Sequence, residues 1–287
     1  MKLLAWEIRK LLADPAARSG LLVVGAVLVA ALAGFAVLPD PAAGMSVVEA
    51  HAAGLPRLPE EFRMGWAFAL LVLDPLSTLL LPAVLLAVLS ASVAREAESG
   101  TIDEILARPV SRRSLVLAKL AAGLVYLALM VCVAAFVSIV VAPLVLGGGK
   151  VFTGMPADEA GRLVPVGLDG WRAATRVALA YAAAAAALAS VAALAVVVSA
   201  AASDARKATL IAVGVYFGLA GLAGTRGLES LRPYTVFHYL SVWEAFVGAD
   251  IDWMRLLKGA GILAAAFALL AVGAALLFGG REFPPRS

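Results

Sequence analysis

The residues that could do chemistry are concentrated between Arg95 and Lys119, where a charged stretch separates two long apolar segments. The stretch reads R-E-A-E-S-G-T-I-D-E-I-L-A-R-P-V-S-R-R-S-L-V-L-A-K. Its carboxylates, guanidinium groups and hydroxyls are typical of ion pairs and helix caps, and they include no paired nucleophile and base. We therefore predict that this stretch meets a soluble partner.

A short helix is predicted within the stretch. The residues from Thr101 to Glu104 match a capping box, in which a hydroxyl and a carboxylate satisfy free backbone amides. Arg108-Pro109 should end the helix, because proline has no amide donor and disfavours helical geometry in the preceding residue. Ser111 can cap the helix that follows. The apolar face of the short helix consists of Ile102, Ile105 and Leu106, and it needs a partner or the membrane surface to cover it.

The composition predicts an all-helical integral membrane protein. Hydrophobic residues make up 63% of the chain and the mean hydropathy is +0.97, far above the values of a soluble domain. Because a span needs about 20 mostly apolar residues, we predict six spans in a single transmembrane domain over residues 1–287. The predicted spans are about 19–38, 66–94, 115–146, 172–202, 208–224 and 259–280, with a cytoplasmic loop over 95–114.

The first 18 residues are predicted to form an amphipathic helix on the inner membrane surface. The helical pattern separates an apolar face from a polar one, and Asp14-Pro15 supplies a break before the first span. The apolar face is Leu4, Ile8, Leu11 and Leu12, and the polar face is Glu7, Lys10 and Asp14. A frayed start is the alternative.

The distribution of basic residues favours cytoplasmic termini in the cell membrane. With six spans both termini lie on one side, and that side then carries 13 of the 23 Lys and Arg residues against eight acidic ones. No basic face interleaved with aromatic residues is present, so nucleic acid binding is disfavoured.

Two further positions stand out within the spans. Asp74 precedes Pro75, so it either caps a helix or, as an ionisable group at the margin of a span, contacts substrate or relays protons. Gly214 and Gly218 form a G-x-x-x-G pattern, which favours close helix packing, either against a second copy of the chain or within one subunit.

The charged stretch resembles the signature loop of ABC-2 type permeases, the membrane subunits of ATP-binding cassette transporters. The match is carried by E-x-E-S-G-T-I-D-E-I-L-A-R-P-V-S-R and Lys119, and it extends loosely over the N-terminal helix and the six spans. The permease of the nitrous oxide reductase maturation cluster is a similar branch.

The resemblance implies that the loop carries a coupling helix seated on a separate ATPase subunit. The residues implied in binding that subunit are Glu98, Gly100, Thr101, Ile102, Glu104, Ile105, Leu106, Arg108, Pro109, Arg112 and Arg113. It also implies two permease copies with two ATPases, acting as an exporter with the second and fifth spans along the pathway.

The chain lacks a phosphate-binding G-x-x-x-x-G-K-[ST] sequence, so it is expected to be no enzyme itself, with ATP and magnesium bound by the partner. His51, His238 and Cys132 are isolated, which disfavours a metal site. A secondary transporter and a structural membrane anchor are the alternative functions. An intramembrane enzyme is disfavoured, because the serines at 90, 92, 138, 190 and 199 are expected to bond helix carbonyls.

Overall fold

The computed structural model describes residues 2–37, 65–101, 111–154, 166–225, 235–248 and 250–280. Over this part of the chain, six helices are long and apolar enough to cross a membrane, which confirms the all-helical membrane fold. The first two spans are Pro15–Val37 and Gly65–Ser99, and the third is Arg112–Leu146. The last three are Gly170–Ala201, Ala205–Gly224 and Trp253–Gly279.

An N-terminal helix precedes the spans and covers Lys2–Ala13. It ends where the sequence predicts a break, because Pro15 begins the first span and the Asp14 carboxylate accepts a hydrogen bond from the Ala16 amide at 2.9 Å. Asp14 therefore caps the first span, and the fixed φ of proline suits the first helical position.

Tyrosine hydroxyls join the spans in the interior. The Tyr126 hydroxyl in the third span donates to the Ala17 carbonyl in the first, at 2.9 Å. Tyr181 in the fourth span and Tyr216 in the fifth donate to carbonyls of the second span, each at 3.1 Å. These bonds satisfy the polar ends of buried aromatic side chains, and they fix the second span between its neighbours.

The second span is interrupted twice. Leu76–Leu80 forms a π-helical turn after Pro75, and Ser90 separates the helices Leu81–Leu89 and Ala91–Ser99. Ser199 of the fourth span accepts hydrogen bonds from the amides of Val93 and Ala94, at 2.9 and 3.1 Å. These amides are buried within the protein, where they need a partner, so this serine stabilises the break.

Ser199 thus differs from the expectation that it bonds a helix carbonyl. Ser90, Ser92 and Ser190 do donate to helix carbonyls within their own spans. The difference arises because the interruption at Ser90 leaves the amides of the following turn without partners inside their own span.

Two small elements lie in the segments between spans. An antiparallel pair, β1 (Lys150–Gly154) and β2 (Val166–Asp169), lies between the third and fourth spans. A short helix at Val236–Tyr239 packs on the fifth and sixth spans, and the 3-10 helix Leu240–Phe246 that follows it packs on the fourth span and buries Trp243 and Phe246. These residues, which precede the sixth span and are rich in aromatic side chains, are therefore helical and packed against the bundle.

Candidate coupling site at the inner ends of the second and third spans

A buried charged cluster lies where the N-terminal helix, the end of the second span and the start of the third span meet. We call Glu7, Lys10, Glu96 and Lys119 the inner charge cluster. Its centre is Lys119, whose ammonium donates to Glu96 Oε1 at 2.6 Å and to Glu7 Oε2 at 3.0 Å. One cation therefore links three helices.

The members of this cluster differ in their exposure. The side chains of Lys119, Glu7 and Glu96 are 4%, 5% and 6% exposed, whereas Lys10 is 44% exposed and adds its ammonium to Glu96 from the surface. Removing a charge from water costs several kcal/mol per ion, so the three buried groups persist because they pair with one another.

Burial makes the Glu7 carboxyl a weaker acid than an exposed glutamate. Desolvation raises the pKa of the Glu7 carboxyl above 4.5, and its bond to Lys119 offsets this only in part. Within the part of the chain that the structure describes, Glu7 Oε1 and Glu96 Oε2 are buried without a hydrogen-bond partner. The cluster is neutral as a whole, yet it retains two acceptor oxygens that are not in use.

A second link joins the same elements closer to the surface. Arg95 Nη1 lies 2.8 Å from Asp14 Oδ2, although the arginine is 53% exposed and such a pair contributes little by itself. A cavity of about 300 Å³ lies between the two links, where Ser92, Ser99 and Thr101 complete its lining. The cavity opens at the base of the predicted coupling loop.

The predicted ATPase-binding residues lie only partly within the described structure. Six of them are outside the described residues: Ile102, Glu104, Ile105, Leu106, Arg108 and Pro109. Gly100 ends the second span with φ of +78°, a left-handed conformation that glycine adopts without strain. The Thr101 hydroxyl contacts the Ser99 hydroxyl at 2.9 Å.

Beyond the loop, the third span begins at Arg112 with a defined cap. Ser111 is its N-cap, as the sequence predicts, and its hydroxyl accepts a hydrogen bond from the Ser114 amide at 3.1 Å. Arg112 and Arg113 occupy the first turn, where the Arg113 side chain lies close to Gly279 at the end of the sixth span.

Glu98 faces the fifth span of the same chain. Its carboxylate accepts a hydrogen bond from the Ala205 amide at 3.2 Å, directly after Asp204, which caps that span. The hydrogen bond from the Lys207 amide holds the pKa of Asp204 below its ordinary value. The base of the loop is thus connected to the fifth span as well as to the N-terminal helix.

Asp74 does not cap a helix. It lies inside the continuous helix Gly65–Pro75, and the π-helical turn that follows has Pro75 at its N-cap position without a side-chain cap bond. The proline is accommodated because the π-helical turn follows it directly, and the Ser77 and Thr78 hydroxyls bond the Asp74 carbonyl. The Asp74 side chain is exposed on the surface of the chain.

Gly214 and Gly218 are exposed on the fifth span. A Cβ added at either position would have no atom within 4 Å among the described residues. The alternative that these glycines pack against a helix of the same subunit is therefore wrong for the described part of the chain.

In the N-terminal helix, Glu7 of the predicted polar face is buried and turned towards Lys119, while Leu4 and Trp6 are exposed. The sequence analysis did not identify Glu7, Glu96 and Lys119 as a cluster. The available signal was a lysine placed within the apolar start of a span, because such a charge requires a partner.

Comparison with known protein families matches residues 21–202 to the ABC-2 family transporter proteins. No curated protein matches the chain at a significant level. The family match covers the first four spans and includes the loop between the second and third. Because it covers well over half of the 287 residues, the chain belongs to the ABC-2 family of transporter proteins.

Proposed function

We propose that the chain is the permease subunit of an ATP-binding cassette exporter in the cell membrane, with both termini in the cytoplasm. Family membership supports a membrane transport component, and the sequence contains no phosphate-binding loop of its own. ATP and magnesium then act in a separate ATPase subunit. The loop, the N-terminal helix and the six spans also support kinship with the permease of the nitrous oxide reductase maturation cluster.

The observation that carries this proposal is the way in which the fold defines both ends of the loop. Gly100 ends one helix in a left-handed conformation, and Ser111 caps the next. The residues between them, 102–110, include the predicted apolar face of Ile102, Ile105 and Leu106. Because the helices on both sides of the loop end at defined residues, a push from a docked subunit on the loop would pass directly into the spans.

Co-purification with the partner ATPase tests the proposal. Ile105→Asp or Leu106→Asp should abolish substrate-stimulated ATP hydrolysis, because a carboxylate placed in an apolar contact lacks a partner. Ala201→Asp is the matched control, since Ala201 is exposed at the inner end of the fourth span. The proposal fails if the wild-type chain binds no ATPase, or if the loop variants hydrolyse ATP like the control.

A homodimer completes the proposed transporter. The fifth span is mostly exposed in the single chain, and its glycines offer a surface on which a second helix can approach closely. Asp74 in the second span is exposed as well, and a carboxylate in a span is costly unless it faces protein or a water-filled pathway. We therefore place both spans at the boundary between the two copies.

A further inference from the structure

The inner charge cluster brackets the proposed coupling loop on both sides. Glu96 lies four residues before Gly100, and Lys119 lies eight residues after Ser111. At 1.5 Å per residue, these positions are about 6 and 12 Å along their helices from the two ends of the loop. A displacement of the loop therefore reaches the Lys119–Glu96 pair within two or three helical turns.

The same ammonium is bonded to the N-terminal helix, which lies 112 positions away from Lys119 in sequence. Glu7 is the buried residue of that helix that accepts this bond. The Asp14–Arg95 pair connects the end of the helix to the second span. The N-terminal helix is thus held by charge to the two spans that carry the loop.

The free carboxylate oxygens of Glu7 and Glu96 could accept the Lys119 ammonium if one of the three helices moves. Lys119 uses one oxygen of each carboxylate, and the other oxygen of Glu7 and of Glu96 has no partner among the residues described. The adjoining cavity leaves room for the side chains to rotate. A small shift of one helix can therefore exchange one carboxylate oxygen for the other without leaving the ammonium unpaired.

We propose that Lys119 is a positioning residue that couples movement of the loop between the second and third spans to the N-terminal helix. This inference rests on the proposed function, because it requires an ATPase to move the loop. On binding ATP, the partner displaces the loop, and Lys119 carries the N-terminal helix with it through Glu7. A permease without this cation would still dock the ATPase, yet its N-terminal helix would remain in place.

The experiment measures the distance between the N-terminal helix and the fifth span in the complete complex. Spin labels at Ala13→Cys and Arg206→Cys, both exposed positions, are introduced with Cys132→Ala so that no other thiol reacts. The distance is recorded with and without ATP, magnesium and vanadate. We expect the wild-type background to show a nucleotide-dependent shift, Lys119→Met to lose it, and Lys119→Arg to retain it.

Two further variants test whether the effect belongs to the bond between Lys119 and Glu7 or to the loss of any charged side chain. Glu7→Ala removes the buried bond between Lys119 and the N-terminal helix and keeps the Lys119–Glu96 pair. The Lys10–Glu96 and Asp14–Arg95 pairs also remain, but their cations are exposed and such pairs contribute little, so this variant should also lose the shift. Lys207→Met is the matched control, because Lys207 forms an exposed pair with Asp204 outside the cluster, and it should retain the shift.

The outcomes separate this inference from the proposed function. If the wild-type chain fails to bind an ATPase, the proposed function is wrong and the inference falls with it. If the complex forms and hydrolyses ATP but the shift is absent, or persists in Lys119→Met and Glu7→Ala, only the coupling role of Lys119 is wrong. Loss of ATPase binding by a folded Lys119→Met chain would likewise overturn it, since Lys119 would then be a docking residue.

Discussion

Lys119 is the residue on which the inner end of the bundle depends. It pairs with two buried carboxylates on two other helices, and a single substitution leaves Glu7 without its counter-ion and Glu96 with only the half-exposed Lys10. Breaking a buried pair costs more than the pair contributes, because the remaining charge stays out of water. The stability of the protein should therefore fall when a single member of the cluster is substituted, and it should change little when all the buried charges are replaced together by apolar residues.

We expect Lys119→Met to lower the free energy of unfolding by about 3 kcal/mol. Combining it with Glu7→Leu and Glu96→Leu should recover most of the loss, because no buried charge is then unpaired. Thermal unfolding in detergent, followed by tryptophan fluorescence, measures both values. Equal stability of Lys119→Met and the wild-type chain would contradict the charge assignment.

The raised pKa of Glu7 predicts a pH dependence for docking of the N-terminal helix. The folded state holds the Glu7 proton more tightly than the unfolded state, so stability falls as the pH rises from about 4.5 through the raised pKa. Lys119, Glu96 and Lys10 are the charged groups that act on Glu7.

Hydrogen exchange of the amides of Lys2–Ala13 reports this docking. We expect slower exchange at the acid end of the range, after correction for the intrinsic rate. The neutral variant Glu7→Gln should show a flatter profile. A wild-type helix whose protection increases with pH would rule out the assigned direction of the pKa shift.

At the scale of elements, the interruption of the second span and its partner on the fourth span form one unit. Ser199 accepts the amides of Val93 and Ala94, so Ser199→Ala leaves two buried donors without an acceptor. We expect a loss of about 1–3 kcal/mol. Ser190→Ala is the matched control, because the Ser190 hydroxyl bonds only the Ala187 carbonyl of its own helix and its loss should be nearly neutral. Thermal unfolding distinguishes the two variants.

The elements also show what the sequence could predict. Six apolar runs predict six spans, because the thickness of the membrane sets a length that is visible in composition. The sixth span begins at Trp253, whereas the predicted apolar run begins near residue 259. Asp252 caps the helix, and its first turn contains Arg255, so the composition of that turn does not mark it as part of a span. The Ser111 cap was predictable from a local signal, a serine hydroxyl placed directly before a helix.

The contacts that define the site were not predictable in this way. The Glu7–Lys119 pair joins positions 112 residues apart, and no local pattern indicates which of several acidic residues a buried lysine will meet. The π-helical turn after Pro75 also depends on packing, so the first alternative for Asp74, a helix cap, is wrong. Local signals predict where helices start and stop, whereas tertiary packing decides which face is buried.

At the scale of the whole molecule, the exposed glycines of the fifth span predict a symmetric contact between two copies. In the Cys132→Ala background, we expect Gly218→Cys to form a disulfide-linked dimer under mild oxidation, because close packing would bring the two thiols together. Leu269→Cys, which is 75% exposed on the sixth span, is the control and should remain monomeric on a non-reducing gel. Equal cross-linking of both variants would indicate random collision.

The length of the second span has a consequence for the position of its last turn relative to the lipid surface. The span contains 35 residues, from Gly65 to Ser99, and at 1.5 Å per residue it is about 52 Å long. The bilayer, headgroups included, is about 40–45 Å thick. With Trp66 at one headgroup level, Glu96 lies about 45 Å further along the helix, level with the opposite lipid surface, and Ser99 lies roughly 5 Å beyond it. The proposed coupling loop would therefore begin just outside the lipid, where a soluble subunit can reach it without displacing lipid.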